Sequence, residues 1–309
     1  MASGIHHVTS IAGSAHRNLD FYTATLGMRL VKKTVNFDDP ATYHLYYGDA
    51  AGHPGTILTF FPWEGVPSGR AGIGEVHETV FSVPESSIGY WTQRFVEKGV
   101  AHEGPVKRFG ETTLAFKDSD GTRLALAGAR GIESGDAWSG GGVPPEHAIR
   151  GFHGVSLLLA EAAPTAAILS NVFGFAADGR EGSTERYRAR GVAPGGVVDL
   201  RTAGEFLAAR QGAGSVHHIA FRAVDDAAQT AMVKKLVQDH RLYTTEQKDR
   251  NYFRSVYFRE PGKVLFEIAT DPPGFAVDEP IESLGQALKL PPFLEGRRAE
   301  IEAALPRLD

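Results

Sequence analysis

A chain of 309 residues can build two domains of ordinary size, and a hydrophobic content of 42% is enough for each to have a core. The 32 Lys and Arg against 37 Asp and Glu leave a formal charge of −5, and no basic run could track a phosphate backbone, which argues against nucleic-acid binding. There is no cysteine, so disulfides, thiolate nucleophiles and sulfur-ligated metals are excluded, and histidine and carboxylate remain as ligand types.

The first residues run directly into an apolar strand without the charged and apolar regions of a secretory signal. No apolar run approaches the roughly 20 residues that span a bilayer. A cytoplasmic location and no membrane partner are the expectation. Residues 5–11 read as a strand and 18–26 as an amphipathic helix, with Leu19, Tyr22 and Leu26 at helical spacing; strands follow at 28–35, 42–47 and 56–61. This β-α-β-β-β order recurs from Gly74, with a strand at 76–83, a helix at 87–98 and strands near Val106, at 113–117 and at 123–127. A third copy starts at Gly151, with a strand at 152–160, a helix at 163–172 and strands near Phe175, at 185–190 and at 196–201. The fourth starts at Gly214, with a strand at 217–223, a helix at 226–239 and strands at Tyr243, 254–259 and 263–268. Each copy exposes one apolar sheet face, so an even number can pair to bury them. The predicted fold class is α+β, built from four βαβββ modules. The Gly/Pro-rich residues 134–150 read as a linker between an N-terminal pair of modules (1–133) and a C-terminal pair (151–280), and 281–309 as a helical tail with a helix at 294–305.

Two motifs stand out in that frame. Ile5-His6-His7-Val8 and Val216-His217-His218-Ile219 open the first and fourth copies, and Glu267 lies in the last strand of the fourth. Aligning the copies sets His7 and His218 against Glu78 and Gly154, and sets Glu267 against Phe60, Leu126 and Arg201. Only the first and fourth copies supply imidazoles at this position, so His7, His218 and Glu267 are the expected ligands of one divalent metal. Phe60 then falls in the fourth ligand position. Three ligands with open positions suit Fe(II) and dioxygen, and Mn(II) accepts the same set. No glycine-rich phosphate or dinucleotide loop is present.

These segments resemble the vicinal oxygen chelate (glyoxalase/bleomycin resistance/dioxygenase) superfamily, and within it the ring-cleaving dioxygenases that act on hydroquinones. The resemblance covers nearly the whole chain. Besides the two His-His motifs it is carried by residues 21–34, 43–47 and 54–56 and by Pro261-Gly262-Lys263-Val264-Leu265-Phe266-Glu267. It implies that the modules pair into two half-open barrels, with ligands on first and last strands facing a cleft. It further implies an Fe(II)-dependent enzyme that inserts dioxygen into a hydroquinone-like or catechol-like aromatic. Glyoxalase-type lyases of the superfamily resemble four-ligand sites holding a Lewis acid, and a phenylalanine in the fourth position favours the oxygenase over the lyase.

Further residues are expected at the site. The resemblance implies that Tyr257 hydrogen-bonds a substrate oxygen and that His6 and His217 relay protons. By strand alternation His6 and His217 point to the opposite face unless a bulge turns them. Arg250 could stabilise an anionic substrate by charge, and Thr9, two residues beyond His7, shares its strand face. His44, His77 and His153 read as satisfied core or cleft residues. One competing set stays open, in which His153, one residue before the ligand position, replaces His7 by means of a bulge. A metal-dependent lyase or isomerase and a metal-free ligand-binding resistance protein are the alternative functions. A homo-oligomer is compatible with the sequence.

Overall fold

The computed structural model describes residues 3–133 and 137–308, so part of the expected linker, 134–136, lies outside the described residues. The first module contains β1 (Ile5–Ala12), β2 (Arg29–Asn36), β3 (Asp39–Gly48) and β4 (Ile57–Pro62); the second contains β5 (Glu75–Pro84), β6 (Val106–Arg108), β7 (Glu111–Lys117) and β8 (Arg123–Ala129). The third contains β9 (Phe152–Leu159), β10 (Ala176–Glu181), β11 (Thr184–Arg188) and β12 (Val197–Thr202), and the fourth β13 (Ser215–Ala223), β14 (Lys248–Asp249), β15 (Arg254–Arg259) and β16 (Leu265–Thr270). After each first strand comes a helix: α1 (Ala15–Asp20), α2 (Ile88–Glu97), α3 (Ala163–Asn171) and α4 (Asp226–Gln238). Of the four, α4 has a side-chain cap at its start. Asp225 supplies it by accepting a hydrogen bond from the Ala228 backbone N–H at 2.7 Å.

Three expected elements differ. The first helix begins earlier, at Ala15, and its last turn, Phe21–Thr25, widens to π geometry. Tyr243 is not in a strand: its side chain is 96% exposed, and the short strand forms instead at Lys248–Asp249, where it pairs with β15. The tail helix is broken into α5 (Pro292–Glu295) and α6 (Arg298–Ala304). No helix among the described residues is long and apolar enough to cross a membrane.

The sixteen strands form two curled eight-stranded sheets, ordered β14-β15-β16-β13-β1-β4-β3-β2 and β10-β11-β12-β9-β5-β8-β7-β6. Modules one and four therefore share one sheet, and modules two and three the other. The division of the chain at 134–150 is thus not a division between sheets. One buried cluster, including Tyr22, Phe60, Leu126, Phe152, Phe221 and Phe266, runs through all four modules. The tail packs on the first sheet, where Val35 meets Leu290, Leu294, Ile301 and Leu305. Lys32, fully buried, is neutralised there by Asp278 and Glu279, each 2.5 Å away.

The centre of each sheet is an antiparallel pair of first strands, and these pairs carry matching irregularities. In β1/β13, Ile5 pairs with Phe221 and His7 with Ala220, which leaves His6 as an extra residue; Thr9 pairs with His218 and Ser10 with Val216, which leaves out His217. In β5/β9, Val76 pairs with Leu157 and Glu78 with Ser156, and Val80 with Gly154 and Phe81 with Phe152, so His77 and His153 are the extra residues. A histidine thus occupies the bulge of every first strand. Bulges re-aim the side chains beside them, and here they define the equivalence of His7, Glu78, Gly154 and His218.

Candidate metal centre and its cleft

The central pairing of β1 with β13 brings the two ligand histidines expected from sequence together from opposite ends of the chain. Parallel pairing of β13 with β16 sets Glu267 opposite Ala220, two residues beyond His218 and hence on the same face. His7 Nε2 lies 3.3 Å from His218 Nε2 and 3.3 Å from Glu267 Oε2, and His218 Nε2 lies 2.8 Å from the same oxygen. The three side chains are 2%, 4% and 0% exposed. Glu267 Oε2, although between two imidazole nitrogens, makes no hydrogen bond. A buried carboxylate oxygen left without a donor, facing two imidazole nitrogens, is a donor set that fits a divalent cation. Among the described residues, His7, His218 and Glu267 form the group whose ligand atoms lie close enough to hold an ion.

Electrostatics fit the same reading. Burial alone would push the Glu267 carboxyl up, but attraction to His7 and His218 outweighs it and holds the group well below the usual carboxylate range. Burial pushes the His218 imidazole down, towards the neutral form that binds metals. The bulges turn His6 and His217 inward, with Nδ1 of His6 2.9 Å from Nδ1 of His7 and Nδ1 of His217 2.8 Å from Nδ1 of His218. Each bulge histidine thus holds the far nitrogen of its neighbour and leaves Nε2 for the centre. Burial, then the neighbouring His218, pushes His217 down to about 3.

A cleft of about 400 Å³ opens over this group. Tyr257 pairs across strands with Glu267, and its ring meets His218 edge-on at 5.7 Å. Burial, followed by the charge of Glu267, pushes its phenol up. Arg250 donates to the Tyr257 oxygen at 3.2 Å and forms an ion pair with Asp38, on the turn between β2 and β3, also at 3.2 Å. Thr9 is fully buried on the His7 face and accepts a hydrogen bond from Thr59 at 2.9 Å. Of the expected site residues, His7, His217, His218, Arg250 and Tyr257 line this cleft, and His6, Thr9 and Glu267 are buried beside them.

The fourth ligand position needs correcting. Aligning by sequence placed Phe60 there, but Phe60 points to the helix layer and packs on Tyr22, ring centroids 4.6 Å apart. Thr9 pairs with Thr59 just as Ala220 pairs with Glu267, so Thr59 holds the position. The counterparts in the second sheet shift likewise. Val80 pairs with Ala125 and Ser156 with Asp199, not with Leu126 and Arg201. A parallel partner's offset is not visible in the sequence, and one residue of slip reverses the face.

Sequence reasoning also missed Ser255, Phe253 and His44. The Ser255 hydroxyl donates to Glu267 Oε1, and the signal was its place two residues before Tyr257 on one strand face. The Phe253 ring lies 4.9 Å from that of His7. His44 lines the cleft beside Tyr46 and Phe61.

The second sheet has its own cleft, about 610 Å³ in volume, but not the ligand set. Glu78 is paired with Arg108 at 2.5 Å, and Asp199 is held by two bonds of 2.8 Å from Arg186. A Cβ on Gly154 would lie 2.2 Å from the Val197 carbonyl oxygen, so no imidazole fits there. His153 faces Glu111 at 3.1 Å on this sheet, away from His218 on the other.

The family description Glyoxalase/Bleomycin resistance protein/Dioxygenase superfamily matches residues 4–126. The chain is 45% identical, over 98% of its length and 95% of the relative's, to MhqO of Bacillus subtilis (strain 168), which carries a provisional name as a ring-cleaving dioxygenase. It is 33% identical, over 96% of its length and 94% of the relative's, to a chlorohydroquinone/hydroquinone 1,2-dioxygenase of Sphingobium indicum. The crystal structure of a provisionally named dioxygenase from Bacillus subtilis matches with a TM-score of 0.94 and 44% identity, covering 100% of this chain and 98% of that one. Repeat, bulged strands, paired sheets and relatives agree, and the chain belongs to the glyoxalase/bleomycin resistance protein/dioxygenase superfamily.

Proposed function

We propose that the protein is a metal-dependent ring-cleaving dioxygenase that acts on a hydroquinone-like or catechol-like aromatic, with Fe(II) at His7, His218 and Glu267. The observation that carries the reading is the three-residue group with a threonine, Thr59, where a fourth ligand would sit. That donor set leaves positions for two reactants, which suits an oxygenase better than a four-ligand Lewis-acid lyase. The relatives named as ring-cleaving and hydroquinone dioxygenases support it. Bound iron would supply the electron transfer that lets an aromatic react with dioxygen.

The chain's own residues do the rest. Phe61, Phe253 and Tyr46 give the cleft aromatic walls that take a planar ring and exclude water. Arg250 donates to the Tyr257 oxygen, which leaves the Tyr257 hydrogen to point at a substrate oxygen. The Arg250 guanidinium adds positive charge on the same side, where an anionic phenolate would be stabilised. Thr9, fully buried on the His7 face, places a second hydroxyl in the first module beside the ligand group.

The test is oxygen uptake with a panel of substituted hydroquinones and catechols after anaerobic loading with Fe(II) and, separately, Mn(II). Uptake with one metal and a ring-opened product is the expected result. Iron bound at one ion per chain with no uptake across the panel would overturn the proposal.

A further inference from the structure

His44 reads from the sequence as a satisfied core or cleft residue without a role, and it stands in the wall of the cleft with both ring nitrogens engaged. Its imidazole lies between Tyr46 and Phe61, with ring centroids 4.0 and 4.3 Å away. Nδ1 is 2.8 Å from the Tyr46 hydroxyl, and Nε2 is 2.8 Å from Thr59 Oγ1. Thr59, in the fourth ligand position, donates to Thr9 Oγ1 at 2.9 Å. Thr9 lies opposite His218 and on the strand face of His7. No carboxylate takes part in this chain.

Counting hydrogens allows the chain two directions, and one of them frees a hydrogen for a ligand. Burial keeps the Tyr46 phenol protonated, so it has a hydrogen to give to Nδ1. Burial keeps His44 neutral, with one ring hydrogen; where Nδ1 accepts from Tyr46, that hydrogen sits on Nε2 and goes to Thr59. Thr59 spends its hydrogen on Thr9. Thr9 makes no other side-chain hydrogen bond among the described residues, so its own hydrogen is left for a ligand.

We propose that Tyr46, His44 and Thr59 form a one-way hydrogen-bond relay that holds the Thr9 hydroxyl as a donor toward the oxygen of an aromatic or dioxygen bound beside His7 and His218. The three are positioning residues acting through Thr9, and the proposal rests on the dioxygenase reading. Their function is to keep the Thr9 hydroxyl oriented before the reaction begins, so that no reorientation is needed as negative charge develops. In the opposite direction, with Nδ1 protonated, Thr9 would donate back to Thr59 and offer the ligand nothing.

Two measurements test it. In zinc-substituted protein, nitrogen NMR of the His44 ring should show the neutral form with hydrogen on Nε2; hydrogen on Nδ1 would overturn the relay whatever the activity. In the iron-loaded enzyme, Thr59→Val and His44→Leu should lower kcat at least tenfold with KM changed less than threefold and iron content unchanged. Thr59→Ser and His44→Gln, which preserve the donor order, should recover most of that loss. Wild-type kcat in Thr59→Val, or equal losses in the conservative and non-conservative variants, would reduce the cluster to packing. Should the wild-type enzyme consume no oxygen, the dioxygenase reading fails by itself, and the NMR result still judges the relay.

Discussion

Metal loading should raise the folding midpoint, and the rise should depend on His7 but not on His153. The three ligand side chains are at most 4% exposed and come from three strands of two distant modules, so the site exists only in the folded chain. An ion at one hundred times its Kd then adds about 2.7 kcal/mol to stability. With an unfolding entropy of ~2.1 cal/mol/K per residue, 309 residues give roughly 0.65 kcal/mol per kelvin, and the midpoint rises by about 4 °C. Differential scanning calorimetry with and without Mn(II), or Fe(II) under anaerobic conditions, reads this directly, with metal analysis on the same samples. His7→Ala and Glu267→Gln should abolish the rise, and His153→Ala should keep it whole. A full rise in His7→Ala, or its loss in His153→Ala, would refute the ligand assignment.

Ser255→Ala should weaken metal affinity 10- to 100-fold by freeing Glu267 Oε1, as judged by competition with a chelator; unchanged affinity would make the hydroxyl incidental. Tyr257→Phe keeps the ring against His218 but removes the donor, and should lower kcat on the order of a hundredfold with little change in KM. A wild-type kcat would make Tyr257 a packing residue. At the second sheet, burial would push the Glu111 carboxyl up, but His153 and Arg186 outweigh it and lower it from 4.5 to about 2. A depressed folded pKa stabilises above 4.5 and loses that contribution as pH falls towards 2, so the stability gap between wild type and Glu111→Gln should close across this window. Urea midpoints through the window check it, and a constant gap would contradict the pairing.

Much of this site was legible before any coordinates. A repeated strand-helix-strand pattern makes two His-His pairs visible as equivalents, and only the first and fourth copies carry them, so pairing those copies around one ion follows. Tyr257, Arg250 and Thr9 were reachable by alternation and by the resemblance. His6 and His217 were ambiguous, because a bulge adds one residue without leaving a mark in composition. For His44 the choice between core and cleft stayed open, since a histidine among aromatic residues on an apolar strand reads the same in either place.

The amino-acid sequence determined the four modules, their helices and the three candidate ligands, because each depends on spacing within one strand or one repeat. Only the tertiary structure decided that Thr59 rather than Phe60 stands opposite the carboxylate, and that His153 belongs to the other sheet. Those outcomes depend on the register between strands far apart in the chain. A one-residue offset there exchanges the core face for the cleft face, and nothing local to either strand records it.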